Sequence, residues 1–179
     1  MRKAILGVLT VLFAVAPTAQ TQPPPPGTSF DLLAADVQAV LKAHPGQRGT
    51  RVKSVDAGKH VIQFWVDQVQ DGAGEGNGGT AHADVTEIYI IVEGSATLVS
   101  GGKLINPKSS VGIDSVRTFS GQYEGGVTRK VRAGDIVVNP PGTVHSWKSI
   151  ESPRLVYVNT WIDPTHTLKA GYVDSALKK

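Results

Sequence analysis

The stretch GDIVVNPPGTVHSW, Gly134 to Trp147, holds one histidine between turn-forming residues. Imidazole ligates metals and moves protons near neutral pH, so where that ring points decides what it can do. Ala133-Gly134-Asp135 reads as a turn and IVVNP as a short strand. Pro140-Pro141-Gly142 reads as a second tight turn, with Gly142 free to take positive φ. The chain then re-enters a strand with His145 and Trp147 at the same parity, so both face one side. If that side is the interior, two turns place an imidazole inside a barrel. Upstream, HADVTEIYI gathers His82, Asp84, Glu87 and Tyr89. His82 and Asp84 share one parity, while Glu87, Tyr89 and Ile91 share the other. A straight strand cannot point His82 and Glu87 the same way. Either a bulge lies near Val85–Thr86, or His82 reaches in from a loop.

The spacing G-x5-P-x-G-x2-H from Gly134 to His145 resembles the second motif of the cupin superfamily, with Ser149 where that pattern places an asparagine. The first cupin motif is G-x5-H-x-H-x3,4-E-x6-G. Gly76, His82, Glu87 and Gly94 fit its outer spacings. Asp84 stands in place of the second histidine, and one residue is missing before Glu87. This looks like the cupin subgroup with a single histidine, four residues and then an acidic residue. The resemblance implies that His82, Glu87 and His145 ligate a divalent transition metal, with Fe, Mn, Ni and Zn all chemically reasonable. Open positions on the metal would take water or substrate. Asp84 would join as a further ligand if the bulge lies after it. Tyr89 should share the face of Glu87. Some metal-dependent cupin lyases use such a tyrosine as a base, and a core aromatic is the alternative role. Trp147 either lines the pocket or fills the barrel.

These residues need strands to carry them. From Arg51 onward the pattern is β. KHVIQFWVDQV, Lys59 to Val69, has β-branched and aromatic residues at both parities and reads as a strand covered on both faces. DGAGEGNGGTAHAD reads as a glycine-rich loop, TEIYIIVEG as a strand, and residues 105–126 as a long irregular segment that either covers a barrel mouth or is decoration. PRLVYVNTWID is the last strong strand. The fold class expected is all-β, a cupin-type double-stranded β-helix or jelly-roll barrel of six to eight strands over about residues 51–163. One amphipathic helix, residues 29–44, precedes it and should dock outside. Phe30, Leu33, Val37, Val40 and Leu41 set its period, Thr28 or Ser29 its cap, and Pro45-Gly46 its end. His44 reads as a helix-end residue, His60 as structural and His166 as an exposed tail residue.

The N-terminus has a different character. Arg2 and Lys3 precede an uncharged apolar run, Ala4–Ala16, that is too short to span a bilayer. This reads as a secretory signal peptide, residues 1–19, with cleavage after Ala16 or Ala19. A Pro-rich linker, residues 20–28, leads into a single domain, residues 29–179. The expected location is secreted or periplasmic, with no membrane anchor after signal removal. The chain has no cysteine, which excludes disulfides and thiolate metal sites. Its 18 Lys and Arg include Arg2 and Lys3, so against 15 Asp and Glu the mature chain is near neutral and no nucleic-acid partner is expected. A small-molecule substrate is expected, and a homodimer is one assembly left open. Cupins host dioxygenase, lyase and isomerase chemistry, and fold does not choose among them. The alternative function is a non-catalytic module that binds a small ligand or metal.

Overall fold

A computed structural model describes residues 28–72, 77–112 and 114–178 of the chain. The expected signal peptide, residues 1–19, and most of the expected Pro-rich linker lie outside the described residues, as does Gly76 of the first motif. Helix α1 spans Ala34–Ala43. Eleven strands follow: β1 Thr50–Asp56, β2 Val61–Gln70, β3 Gly78–His82, β4 Thr86–Glu93, β5 Ser95–Ser100, β6 Lys103–Val111, β7 Arg117–Glu124, β8 Val127–Arg132, β9 Ile136–Asn139, β10 His145–Ile150 and β11 Arg154–Asp163. They form two antiparallel sheets. One has five strands in the order β1-β2-β11-β4-β9, and the other six in the order β6-β7-β3-β10-β5-β8. The all-β jelly-roll architecture expected from the sequence is present. No helix among the described residues is long and apolar enough to cross a membrane.

Three readings are corrected. The glycine-rich stretch before His82 contains strand β3, whose GGTAH sequence pairs with β7 from Gly78↔Gln122 to His82↔Thr118. Low β-propensity there is overridden by two neighbours in the sheet. Residues 105–126 are not an irregular cover but most of a hairpin, β6 against β7. Its side chains are largely exposed, so no apolar alternation announced it. With these additions the strand count rises above six to eight. The helix begins at Ala34, five residues later than residue 29, and neither Thr28 nor Ser29 caps it. The Asp36 carboxylate accepts the Leu33 N–H at 3.1 Å and closes the first turn.

Period-two alternation divides the strands of the five-stranded sheet between two cores. Val66 of β2, with Val156 and Val158 of β11, faces outward and is covered by Val37 and Val40 of α1, which docks outside the barrel as expected. The other parity, Val69, Tyr89, Ile91, Leu155 and Tyr157, faces Leu98 and Trp147 of the six-stranded sheet. The Trp and Tyr rings fill one end of the barrel. Towards the other end the inward positions turn polar, and a cavity opens between the sheets.

Two crossovers carry the chain from sheet to sheet beside that cavity. Ala83 to Val85 link β3 of the six-stranded sheet to β4 of the five-stranded sheet. Pro140 to Val144 link β9 of the five-stranded sheet to β10 of the six-stranded sheet. The Gly142 N–H donates to the His82 carbonyl at 2.7 Å and joins the two crossovers directly. Gly142 takes φ +76°, as its turn requires. Gly94, at the β4–β5 junction, has φ +83°, and a Cβ there would lie 2.2 Å from the Arg154 carbonyl oxygen.

Candidate metal centre

His82 is the last residue of β3, and His145 is the first of β10. Those strands are neighbours in one sheet, with His145 paired to Thr80. Glu87 lies near the start of β4 in the opposite sheet. The question posed by HADVTE therefore has a simple resolution. No bulge is needed, because the chain changes sheets between His82 and Glu87 and parity does not run through the change. His82 Nε2 is 3.6 Å from Glu87 Oε1, and His145 Nε2 is 3.1 Å from Glu87 Oε2. The three ligand atoms lie within 4.8 Å of one another.

Each side chain is held from behind. His145 Nδ1–H donates to the Thr143 carbonyl at 3.0 Å, which directs Nε2 into the cavity. His82 Nδ1 is 3.0 Å from Thr118 Oγ1 on β7. A proton on Nδ1 satisfies that bond and leaves Nε2 as the free donor atom. Glu87 Oε1 accepts from Trp161 Nε1 at 2.8 Å and from Asn159 Nδ2 at 3.0 Å. Tyr89 O–H donates to Oε2 at 3.3 Å. Burial holds the His82 imidazole below its ordinary range, against the pull of Glu87 and with help from His145, which favours the neutral ring that ligation needs. Two imidazole nitrogens and one carboxylate are a donor set that suits a divalent transition metal. The residues present could hold one such ion.

The remaining candidates sort clearly. Asp84 is outside this group. Its Oδ1 lies 3.8 Å from Arg117, and the group that could hold a metal is His82, Glu87 and His145. Tyr89 is buried against Tyr157 and Trp147, with ring centroids 4.9 Å and 5.8 Å away. Burial and the nearby Glu87 carboxylate push its phenol well above the ordinary tyrosine range, so it keeps its proton. Trp147 serves both roles weighed for it, in the barrel core and on the cavity wall. His44 caps its helix end and pairs with Asp174 at 3.1 Å, and His166 is exposed.

The cavity has a volume of about 460 Å³. All three tryptophans, Trp65, Trp147 and Trp161, line it, with Tyr89 and Tyr157. The sequence reading did not single out Asn159, Trp161, Thr118 or Asp67. Register pairs Trp161 with Glu87, Asn159 with Tyr89, and Tyr157 with both Ile91 and Asp67. The inner face of β11 thus presents a ladder of cavity groups. Their shared parity in LVYVNTWID was a usable signal once the inner face of β4 was known. The signal at Asp67 was the one charged residue in a strand otherwise made of apolar residues and three glutamines. Burial raises that carboxyl from 3.8 to about 7, against the charge of Arg48 and with a contribution from Glu87.

A sequence profile of the cupin family matches residues 78–177, more than half of the chain. The chain is a cupin. A search of curated proteins finds no match to it. Among solved structures, a Bacillus halodurans protein is 16% identical, covers 82% of this cupin and 89% of its own chain, and has a TM-score of 0.50. A cupin family protein with a double-stranded β-helix fold from Methanocaldococcus jannaschii is also 16% identical, with coverage of 68% and 86% and a TM-score of 0.43. The DMSP lyase DddQ from Ruegeria pomeroyi is 17% identical, with coverage of 59% and 40% and a TM-score of 0.37. At 16% identity the Bacillus halodurans match shows a shared fold alone.

Proposed function

We propose that this cupin is a metal-dependent enzyme acting on a small organic molecule, with His82, Glu87 and His145 holding one divalent transition metal. The observation that carries the reading is the convergence of two imidazole Nε2 atoms and a carboxylate, within 4.8 Å, on the wall of a cavity of about 460 Å³. A metal held there would polarise a carbonyl, ionise a water or bind oxygen, which are the routes to lyase, isomerase or dioxygenase chemistry. The chain's own residues orient and exclude. Trp161 and Asn159 hold Glu87 in place through Oε1, and Thr143 and Thr118 hold the two imidazoles. Tyr89 is the proposed catalytic side chain of the protein. Its proton sits on a buried phenol beside Glu87 Oε2, so donating a hydrogen bond suits it better than acting as a base.

The deciding experiment loads the purified protein separately with Fe(II), Mn(II), Ni(II) and Zn(II), then measures bound metal after desalting. Near-stoichiometric metal in the wild type and its loss in His145→Ala support the reading. No retained metal under any loading overturns it, and full retention by His145→Ala overturns the ligand assignment. A second reading, a binding module without catalysis, is favoured by one observation. Glu87 is already hydrogen-bonded at both oxygens by protein donors. Ligand-induced stabilisation without turnover would select it.

The same proposal places the protein in the periplasm or outside the cell. The basic start and the apolar run Ala4–Ala16 support export with cleavage near Ala16 or Ala19. The intact mass of exported protein tests this, and a mass that includes residues 1–16 would overturn it.

A further inference from the structure

The cavity wall carries a carboxyl that the metal group does not use. Asp67 lies on the inner face of β2 at 7% exposure. The Gly49 N–H hydrogen-bonds it, and no side chain among the described residues does so. A carboxylate offers about four acceptor positions, and the Gly49 N–H meets one of them, so the others are open to a molecule in the cavity that Asp67 lines. Packing alone does not call for a carboxyl at this position. Neighbouring inward positions on β2 are Trp65 and Val69, and the cross-strand partner is Tyr157, so an apolar side chain would pack there. A second acceptor stands on the same wall. Asn159 donates its Nδ2 to Glu87, and its Oδ1 is buried without a partner.

We propose that Asp67 is a specificity-determining residue: its carboxyl receives a hydrogen-bond donor, a hydroxyl or an ammonium, at the end of the bound molecule remote from His82, Glu87 and His145. The register sets the separation. Asp67 pairs with Tyr157 and Glu87 with Trp161, four residues along β11. That is about 13 Å of strand, shortened by the reach of the two side chains. Arg48 also lines the cavity and offsets the charge of Asp67. The molecule implied is a short organic compound with a metal-facing oxygen at one end and a proton-bearing group at the other. Aromatic rings would cover its middle. This rests on the metal reading only for the placement of the first end.

The test uses linear carboxylates of roughly three to six carbons in matched sets that differ only at the far end, as hydroxyl, ammonium or methyl. Binding is measured by calorimetry to Co(II)-loaded and to metal-free protein, for wild type, Asp67→Leu and Asp67→Asn. Unfolding midpoints confirm that each variant folds, and the near-isosteric Asp67→Asn serves if Asp67→Leu does not. The wild type should prefer a hydroxyl- or ammonium-ended ligand over its methyl counterpart by roughly tenfold. Asp67→Leu should abolish that preference. An ammonium preference should also vanish in Asp67→Asn, whereas a hydroxyl preference should partly survive, which separates the two chemistries. The proposal is overturned if the wild type takes the methyl-ended ligands equally well, or if Asp67→Leu keeps the preference. The latter would mean that Asp67 serves only Arg48. Failure of Co(II) to bind before any carboxylate is added sinks the metal reading alone, since the end-group comparison is still made on metal-free protein.

Discussion

His82 and Glu87 are separated by four residues in the chain and stand on opposite sheets, with Nε2 and Oε1 3.6 Å apart. A metal bound between them, and to His145, would tie the two halves of the barrel together. Ni(II) at about 100 times its Kd should then raise stability by about 2.7 kcal/mol, through binding to the folded state only. Chemical denaturation with and without Ni(II) measures this. Glu87→Gln should lose the Ni(II) effect while remaining folded, and an equal gain in that variant would exclude Glu87 as a ligand.

Trp161 and Thr118 touch the ligating side chains from behind. Trp161→Phe removes the donor at 2.8 Å from Glu87 Oε1, and Thr118→Val removes the partner of His82 Nδ1. Each should weaken metal binding by about tenfold, as is usual for groups that orient a ligand. Thr118→Ser should restore what Thr118→Val loses. Competition against a chelator of known affinity gives the numbers, and unchanged affinity in Thr118→Val would remove the positioning role.

Gly94 has both a positive φ and no room for a methyl group. Gly94→Ala forces a Cβ to within 2.2 Å of the Arg154 carbonyl unless β11 shifts. The backbone conformation alone costs an alanine roughly 1–2 kcal/mol, and the displacement adds to that. A loss of at least about 2 kcal/mol in urea denaturation is expected. A neutral result would mean that the β4–β5 junction yields easily.

Asp67 should make the protein less stable as pH rises. Its carboxyl is raised from 3.8 to about 7 by burial, so between those values the folded protein holds a proton that the unfolded chain has released. Stability therefore falls as pH climbs from about 4 to about 7, and is level above that. Asp67→Asn carries no such proton. Relative to wild type it should gain on the order of 4 kcal/mol at pH 8 and little near pH 4. Parallel denaturation curves at the two pH values decide it, and a gain independent of pH would refute the burial argument.

Much of this site was legible from residue order. The turns around His145 and the outer spacing of His82, Glu87 and Gly94 located three side chains that do converge. The parity objection to pairing His82 with Glu87 was sound for a single strand, and it failed because Ala83–Val85 lead into a different sheet. Nothing local marks a sheet change, since it is decided by which distant strands pair on either side. The β6–β7 hairpin escaped for a related reason. Its residues are mostly exposed, so the burial that imposes alternation never acts on them. Thr118, Trp161 and Asn159 come to Glu87 and His82 only through pairing across tens of residues. Asp67 needed no such knowledge and was still missed, although a lone carboxyl among FWVDQV is a local signal.

The chain has three tryptophans, and all of them line the cavity. Every indole that absorbs at the red edge of the protein's ultraviolet band therefore borders the space where a ligand would sit. Emission from the whole protein is in effect emission from that one chamber. A quenching ion such as Co(II) or Ni(II) at His82 and His145 would darken Trp161 first, because its indole lies 4.7 Å from the His82 ring. The molecule thus carries its own optical gauge of occupancy, with no label and no competing background from tryptophan elsewhere.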